Sequence, residues 1–175
     1  PPLPDHRRSG GTGPLTAARR KSLWAIAALA AVALGSAVWQ GLSPDDDAVE
    51  LRPGDAATVA TGKSVYEEHC ASCHGANLEG QTNWRERLPS GRLPAPPHDR
   101  TGHTWHHPDA QLFDLTKRGP AAVVGGSYES DMPGFDGVLT DAEIIAVLSY
   151  IKSTWPESIR DRHDDLNRRA QSGGK

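Results

Sequence analysis

The chain has 175 residues, of which 37% are hydrophobic, with 18 Gly, 14 Pro and only two Cys. That length admits one compact domain plus extensions, and so many turn-formers predict short elements joined by long loops. The overall charge of −3 divides unevenly: five basic residues face only Asp5 before Ser43, leaving −7 for the remainder, which excludes a nucleic-acid-binding surface there.

In chain order, residues 1–22 are rich in Pro, Gly and Arg and read as a disordered basic tail on the cytoplasmic side. Residues 23–42 carry no charge, and as a helix would span about 30 Å, the thickness of a bilayer's hydrocarbon core. Trp24 and Trp39 sit near the two ends, where interfacial aromatics are favoured. Arg7, Arg8, Arg19, Arg20 and Lys21 precede this stretch and acidic residues follow it, so the basic side stays in the cytoplasm. The rival is a cleaved secretory signal, for which Gly35-Ser36-Ala37 offers small residues at a cleavage site. Both readings deliver the rest of the chain beyond the cytoplasmic membrane; the retained anchor is preferred because apolar residues continue through Leu42. Residues 43–56, with Pro44, the aspartates at 45, 46 and 47, Pro53 and Gly54, read as a flexible linker.

The globular part is expected over residues 57–156. A helix predicted from Thr58 to Cys70 runs into Cys70-Ala71-Ser72-Cys73-His74, with Gly75 as its stop. Thiols at i and i+3 on a helical turn face one way and suit addition to the two vinyl groups of one porphyrin, and the histidine that follows suits the iron. A disulfide across two residues would be strained and would leave His74 without a role. A thioredoxin-type pair needs a βαβ context that is missing, and zinc would have to recruit distant histidines. Covalent haem c, with its iron, is therefore the expected cofactor.

The stretch from Asn77 to His107 reads as a long ordered loop. A second helix is predicted from Pro108 to Arg118, ended by Gly119. The last is the clearest: Thr140 to Glu143 forms a capping box, and Ile144, Ile145, Val147, Leu148 and Ile151 recur at helical spacing before Pro156. Residues 157–175 read as a mixed-charge, solvated C-terminal tail.

This order of helix, haem motif, long loop, helix, methionine loop and closing helix resembles the class I cytochrome c family. The resemblance covers about Thr58 to Trp155. It rests on Gly62 and Tyr66 ahead of the cysteine motif, on Met132-Pro133-Gly134-Phe135, and on the closing helix through Ser149-Tyr150-Ile151. It implies an all-α fold, with short helices and long loops around one covalent haem. The first and last helices would cross closely at Gly62, with Tyr66 against the face of Leu148 and Ile151. It also implies that Met132, the one methionine of the chain, is the second axial ligand opposite His74. A proline of Leu93-Pro94-Ala95-Pro96-Pro97 would accept the His74 Nδ1–H, with Pro94 and Pro96 both candidates. Trp105 would cover the macrocycle edge and offer its indole N–H to a propionate. His98, His103, His106 and His107 stay open as rivals to Met132, or as polar ties of the haem-edge loop.

With both axial positions filled, no catalysis is expected. The expected function is a membrane-tethered monohaem carrier on the periplasmic side of a bacterial cytoplasmic membrane. Its donor would be a quinol-oxidising complex or dehydrogenase, and its acceptor a terminal oxidase or another carrier, in respiration or photosynthesis. One alternative is a tightly docked electron-entry subunit of a membrane oxidase or dehydrogenase complex. Another is a haem- or copper-based sensor built on the histidine block.

Overall fold

The computed structural model describes residues 49–173. The predicted basic tail, the predicted anchor at residues 23–42 and the first part of the predicted linker lie outside them. Among the described residues no helix is long and apolar enough to cross a membrane. The described elements are α1 (Ala56–His69), α2 (Ala71–His74), a 3₁₀ turn (Thr104–His106), α3 (Asp109–Arg118), α4 (Pro120–Val124), α5 (Asp141–Ser153) and α6 (Glu157–Gly173). Only an isolated bridge between Asp136 and Leu139 interrupts an all-α architecture among these residues.

Helix α1 begins two residues earlier than its apolar pattern predicts, because the Asp55 carboxylate accepts the N–H groups of Ala57 and Thr58 at 2.9 and 3.2 Å. Helix α5 starts at the predicted capping box: Thr140 Oγ1 accepts from the Glu143 N–H, and the Glu143 carboxylate accepts from the Thr140 N–H. Its residues Ile144, Val147, Leu148 and Ile151 are buried at i, i+3, i+4 and i+7, one continuous stripe. That stripe meets Val65 and Tyr66 of α1, with Leu112 of α3, Phe135, Leu139 and Trp155 completing the core. The α1–α5 crossing is as close as the sequence predicts. A Cβ at Gly62 would lie 1.9 Å from the Ala146 carbonyl oxygen. Tyr66 extends across the crossing, its ring 5.5 Å from that of Tyr150 and its hydroxyl donating to the Gly75 carbonyl at 2.8 Å.

Two expectations are corrected, and one further helix is present. The linker predicted through residue 56 is already docked at Leu51, which is buried and donates its N–H to Asp109 Oδ2 at 3.1 Å, while the Arg52 N–H donates to Ser149 Oγ. The further helix is α4: Gly119 stops α3, and Pro120, preset for a first helical position, starts a new turn at once. The C-terminal segment expected to be a solvated tail is the 17-residue helix α6, with His163 fully buried. Hydropathy hides α6 because its inner face is built from a histidine and an asparagine as well as apolar groups.

That inner face closes a buried polar network. The Asp109 N–H donates to Asn167 Oδ1 at 2.7 Å, and Asn167 Nδ2 donates back to Asp109 Oδ1 at 2.9 Å. Buried Lys152 lies 4.0 Å from Asp109 and 2.6 Å from Asp164. His163 Nε2 donates to the His107 carbonyl at 2.9 Å and sits 5.1 Å from the Trp155 ring. The network joins α3, α5 and α6 around the start of the domain.

Candidate haem site

The cysteines sit where α1 ends and α2 begins. The Cys70 N–H closes the last turn of α1 on the Tyr66 carbonyl, and the His74 N–H then reaches the Cys70 carbonyl at 2.9 Å, so the motif occupies one helical turn. Cys70 is half-buried, Cys73 is exposed, and the two thiols are not bridged to each other. Burial, with the neighbouring Cys73, pushes the Cys70 thiol up to about 11.

His74 is buried, and its Nδ1 lies 2.8 Å from the Pro96 carbonyl oxygen. A carbonyl only accepts, so Nδ1 carries the proton and Nε2 keeps its lone pair for a metal. Burial lowers the His74 pKa below its ordinary 6.5, with the Pro96 bond opposing, so the neutral, ligating form is favoured. Of the two candidate prolines, Pro96 makes the bond; Pro94 is buried without it. The carbonyl is held in place by close backbone packing: a Cβ at Gly80 would lie 2.4 Å from Pro97 N, and one at Gly102 would lie 1.9 Å from Pro97 O. Neither glycine stands out in the sequence.

Met132 lies in the loop between α4 and α5, half-buried against the same core as Cys70 and Trp105. The chain just after it is stitched to the end of α3: Phe135 N–H donates to Thr116 O, and Asp136 N–H to Lys117 O at 2.8 Å. Gly134 permits this, since a Cβ there would lie 2.6 Å from the Arg118 carbonyl carbon. Ahead of it, Arg92 bonds Glu129 and Asp131 at 3.3 and 2.5 Å, contacts that no sequence pattern signals.

The histidine block is divided among separate tasks. His98 lies against the His74 ring at 4.0 Å, with Nδ1 2.8 Å from Thr104 Oγ1 and its carbonyl accepting the Trp155 indole N–H. Burial, then the charges of His74 and His103, pushes His98 well below 6.5. His103 stacks on Trp84 at 5.2 Å, His106 stacks on Trp105 at 3.7 Å, and the His107 carbonyl accepts the His163 Nε2–H. Among the described residues, no group of three or more His, Cys, Asp or Glu side chains is placed to hold a metal ion. Trp105 Nε1 is the one buried side-chain N or O among them without a hydrogen-bond partner.

These features fit haem c. Two unbridged thiols on one turn suit thioether formation, a neutral imidazole with a free Nε2 suits iron, and an orphaned buried indole N–H awaits an acceptor such as a propionate. Bound there, haem supplies a one-electron iron couple, and the chain's part is to fix the tautomer, orient the ligand and keep out water.

Comparison with known proteins agrees. The cytochrome c family model matches residues 59–155. The cbb3-type cytochrome c oxidase subunit CcoP of Azospirillum sp. (strain B510) is 31% identical over 102 residues, covering 57% of this chain and 30% of the relative. CcoP of Azospirillum brasilense is 34% identical over 101 residues, with the same coverage of 57% and 30%. The chain thus spans less than a third of the length of these curated relatives. No solved structure matches it. Since the matched stretch holds the cysteine pair, the methionine loop and both crossing helices, the chain belongs to the cytochrome c family, electron-transfer proteins with covalently attached haem c.

Proposed function

We propose that the chain is a membrane-tethered monohaem carrier, moving single electrons between partners on the periplasmic side of a bacterial cytoplasmic membrane. Cys70 and Cys73 hold the haem, His74 is the proximal ligand and Met132 the distal one. The observation that carries this reading is the His74 Nδ1–Pro96 bond, which leaves Nε2 free one residue beyond the cysteine pair. His98 is the weaker rival for the distal place, because a ring stacked on the proximal imidazole does not also stand opposite it. A thioether favours ferrous iron and raises the reduction potential relative to a second histidine. The anchor at residues 23–42 supports the membrane tether, and the short stretch before Leu51 keeps the domain near membrane partners. Donors of the quinol-oxidising or dehydrogenase kind and acceptors of the oxidase kind suit this placement.

The test is the absorption spectrum of oxidised, haem-loaded protein beside Met132→Ala. The methionine–iron charge-transfer band should be present in the wild type and absent from the variant, which should also bind carbon monoxide readily when reduced. A wild-type spectrum that the substitution leaves unchanged would move the distal ligand to a histidine.

The likeness to CcoP favours a second reading, in which the domain is the electron-entry subunit of a membrane oxidase. Stoichiometric co-purification with integral membrane subunits from native membranes supports the subunit; migration alone supports the carrier.

A further inference from the structure

We propose that Arg92 is a positioning residue for Met132, tying the segment ahead of the methionine to the loop that supports His74. The inference rests on Met132 being the distal ligand. On its C-terminal side Met132 is secured by the buried Phe135 side chain and by backbone: the Phe135 and Asp136 N–H groups donate to the carbonyls of Thr116 and Lys117. On the other side Gly125 and the segment from Ser127 to Glu129 border an open polar cleft of about 460 Å³, whose opposite wall includes Arg87, Ser90 and Gly91. Arg92, next to Gly91 of that wall, joins the two segments. Its Nε donates to Glu129 Oε2 at 3.3 Å and its Nη1 to Asp131 Oδ1 at 2.5 Å, the latter residue directly preceding Met132.

The root of Arg92 is itself held. Its carbonyl accepts the Leu88 N–H at 2.9 Å, and Arg87 Nη1 donates to the Gly91 carbonyl. Four residues further on, the same loop presents the Pro96 carbonyl to His74. One loop therefore touches the supports of both proposed axial ligands, and Arg92 is its charged contact with the distal side. A guanidinium holding two carboxylates two residues apart fixes the direction of the chain between them as well as its distance. Without it, the sulfur keeps its anchor beyond Gly134 but gains freedom before Asp131, so an incoming ligand finds the iron uncovered more often.

The experiment uses the haem-loaded, oxidised full chain and follows loss of the methionine–iron band when imidazole is added. Exposed ion pairs of this kind predict about fivefold faster displacement in Arg92→Ala, while the helical signal and denaturant midpoint stay close to wild type. Arg92→Lys should recover part of the loss, and Glu129→Gln with Asp131→Asn should reproduce it. Added salt should speed displacement in the wild type and leave Arg92→Ala unaffected. Displacement at the wild-type rate in Arg92→Ala, or a faster rate matched by an equal loss of global stability, would overturn the proposal alone. A wild-type protein with no methionine–iron band would overturn the ligand assignment and this inference together.

Discussion

At the scale of single residues, the domain depends on polar groups that the hydrophobic core does not explain. Asp109 is buried and accepts from the Leu51 N–H and the Asn167 amide, with Lys152 close by. Asp109→Ala should lower the unfolding free energy by about 3 kcal/mol, since it strands buried partners, and denaturant titration measures this. Its neighbour His163 makes a pH prediction. Burial, then the Lys152 charge, lowers its pKa below 6.5 despite Asp109, and the neutral ring already donates to His107 O. The unfolded chain therefore binds a proton near 6.5 that the folded chain refuses. The stability from this group is complete above that pH and is lost as pH falls from 6.5 toward the lower folded value. Unfolding free energies at pH 7.5 and 5.5, for wild type and His163→Gln, should show a smaller acid loss in the variant.

At the scale of elements, the crossing of α1 and α5 and the docking of α6 hold the haem motif in place. Gly62→Ala forces a methyl group into the Ala146 carbonyl, 1.9 Å from where the Cβ would stand. The backbones must part, at a cost of about 3 kcal/mol by thermal or chemical unfolding, where a solvent-facing Ala in the same helix would be neutral or stabilising. Truncation after Pro156 removes α6, with the partners of the His107 carbonyl, the Asp109 N–H and Lys152. The shortened chain should melt well below the full one. Here the sequence was uneven as a guide. The capping box and periodic stripe of α5 announce it plainly, and Gly62 with Tyr66 announces the crossing. Helix α6 stays hidden because much of its inward face is polar, His163 and Asn167 above all, and those groups meet their partners only after folding. The site shows the same split: local spacing reveals Cys70, Cys73 and His74. The choice of Pro96 over Pro94 depends on Gly80 and Gly102, distant in sequence and unremarkable in type.

At the scale of the whole molecule, the described residues make a helical domain whose core carries Cys70, Met132 and Trp105 on its edge, beside a buried imidazole with its Nδ1 tied to a carbonyl and an indole lacking an acceptor. A single porphyrin bonded to the chain accounts for every one of these features. Removal of that group should be structurally expensive: Cys70→Ser with Cys73→Ser, expressed with haem-attachment machinery, should give a chain that melts at lower temperature than the loaded protein. The most direct measurement is the mass of the wild-type polypeptide after denaturation and acidified-solvent extraction, following expression with that machinery. The polypeptide should retain the added mass of one haem, and the double-serine variant none. Pigment passing wholly into the solvent, with a wild-type polypeptide of unmodified mass, would contradict the account.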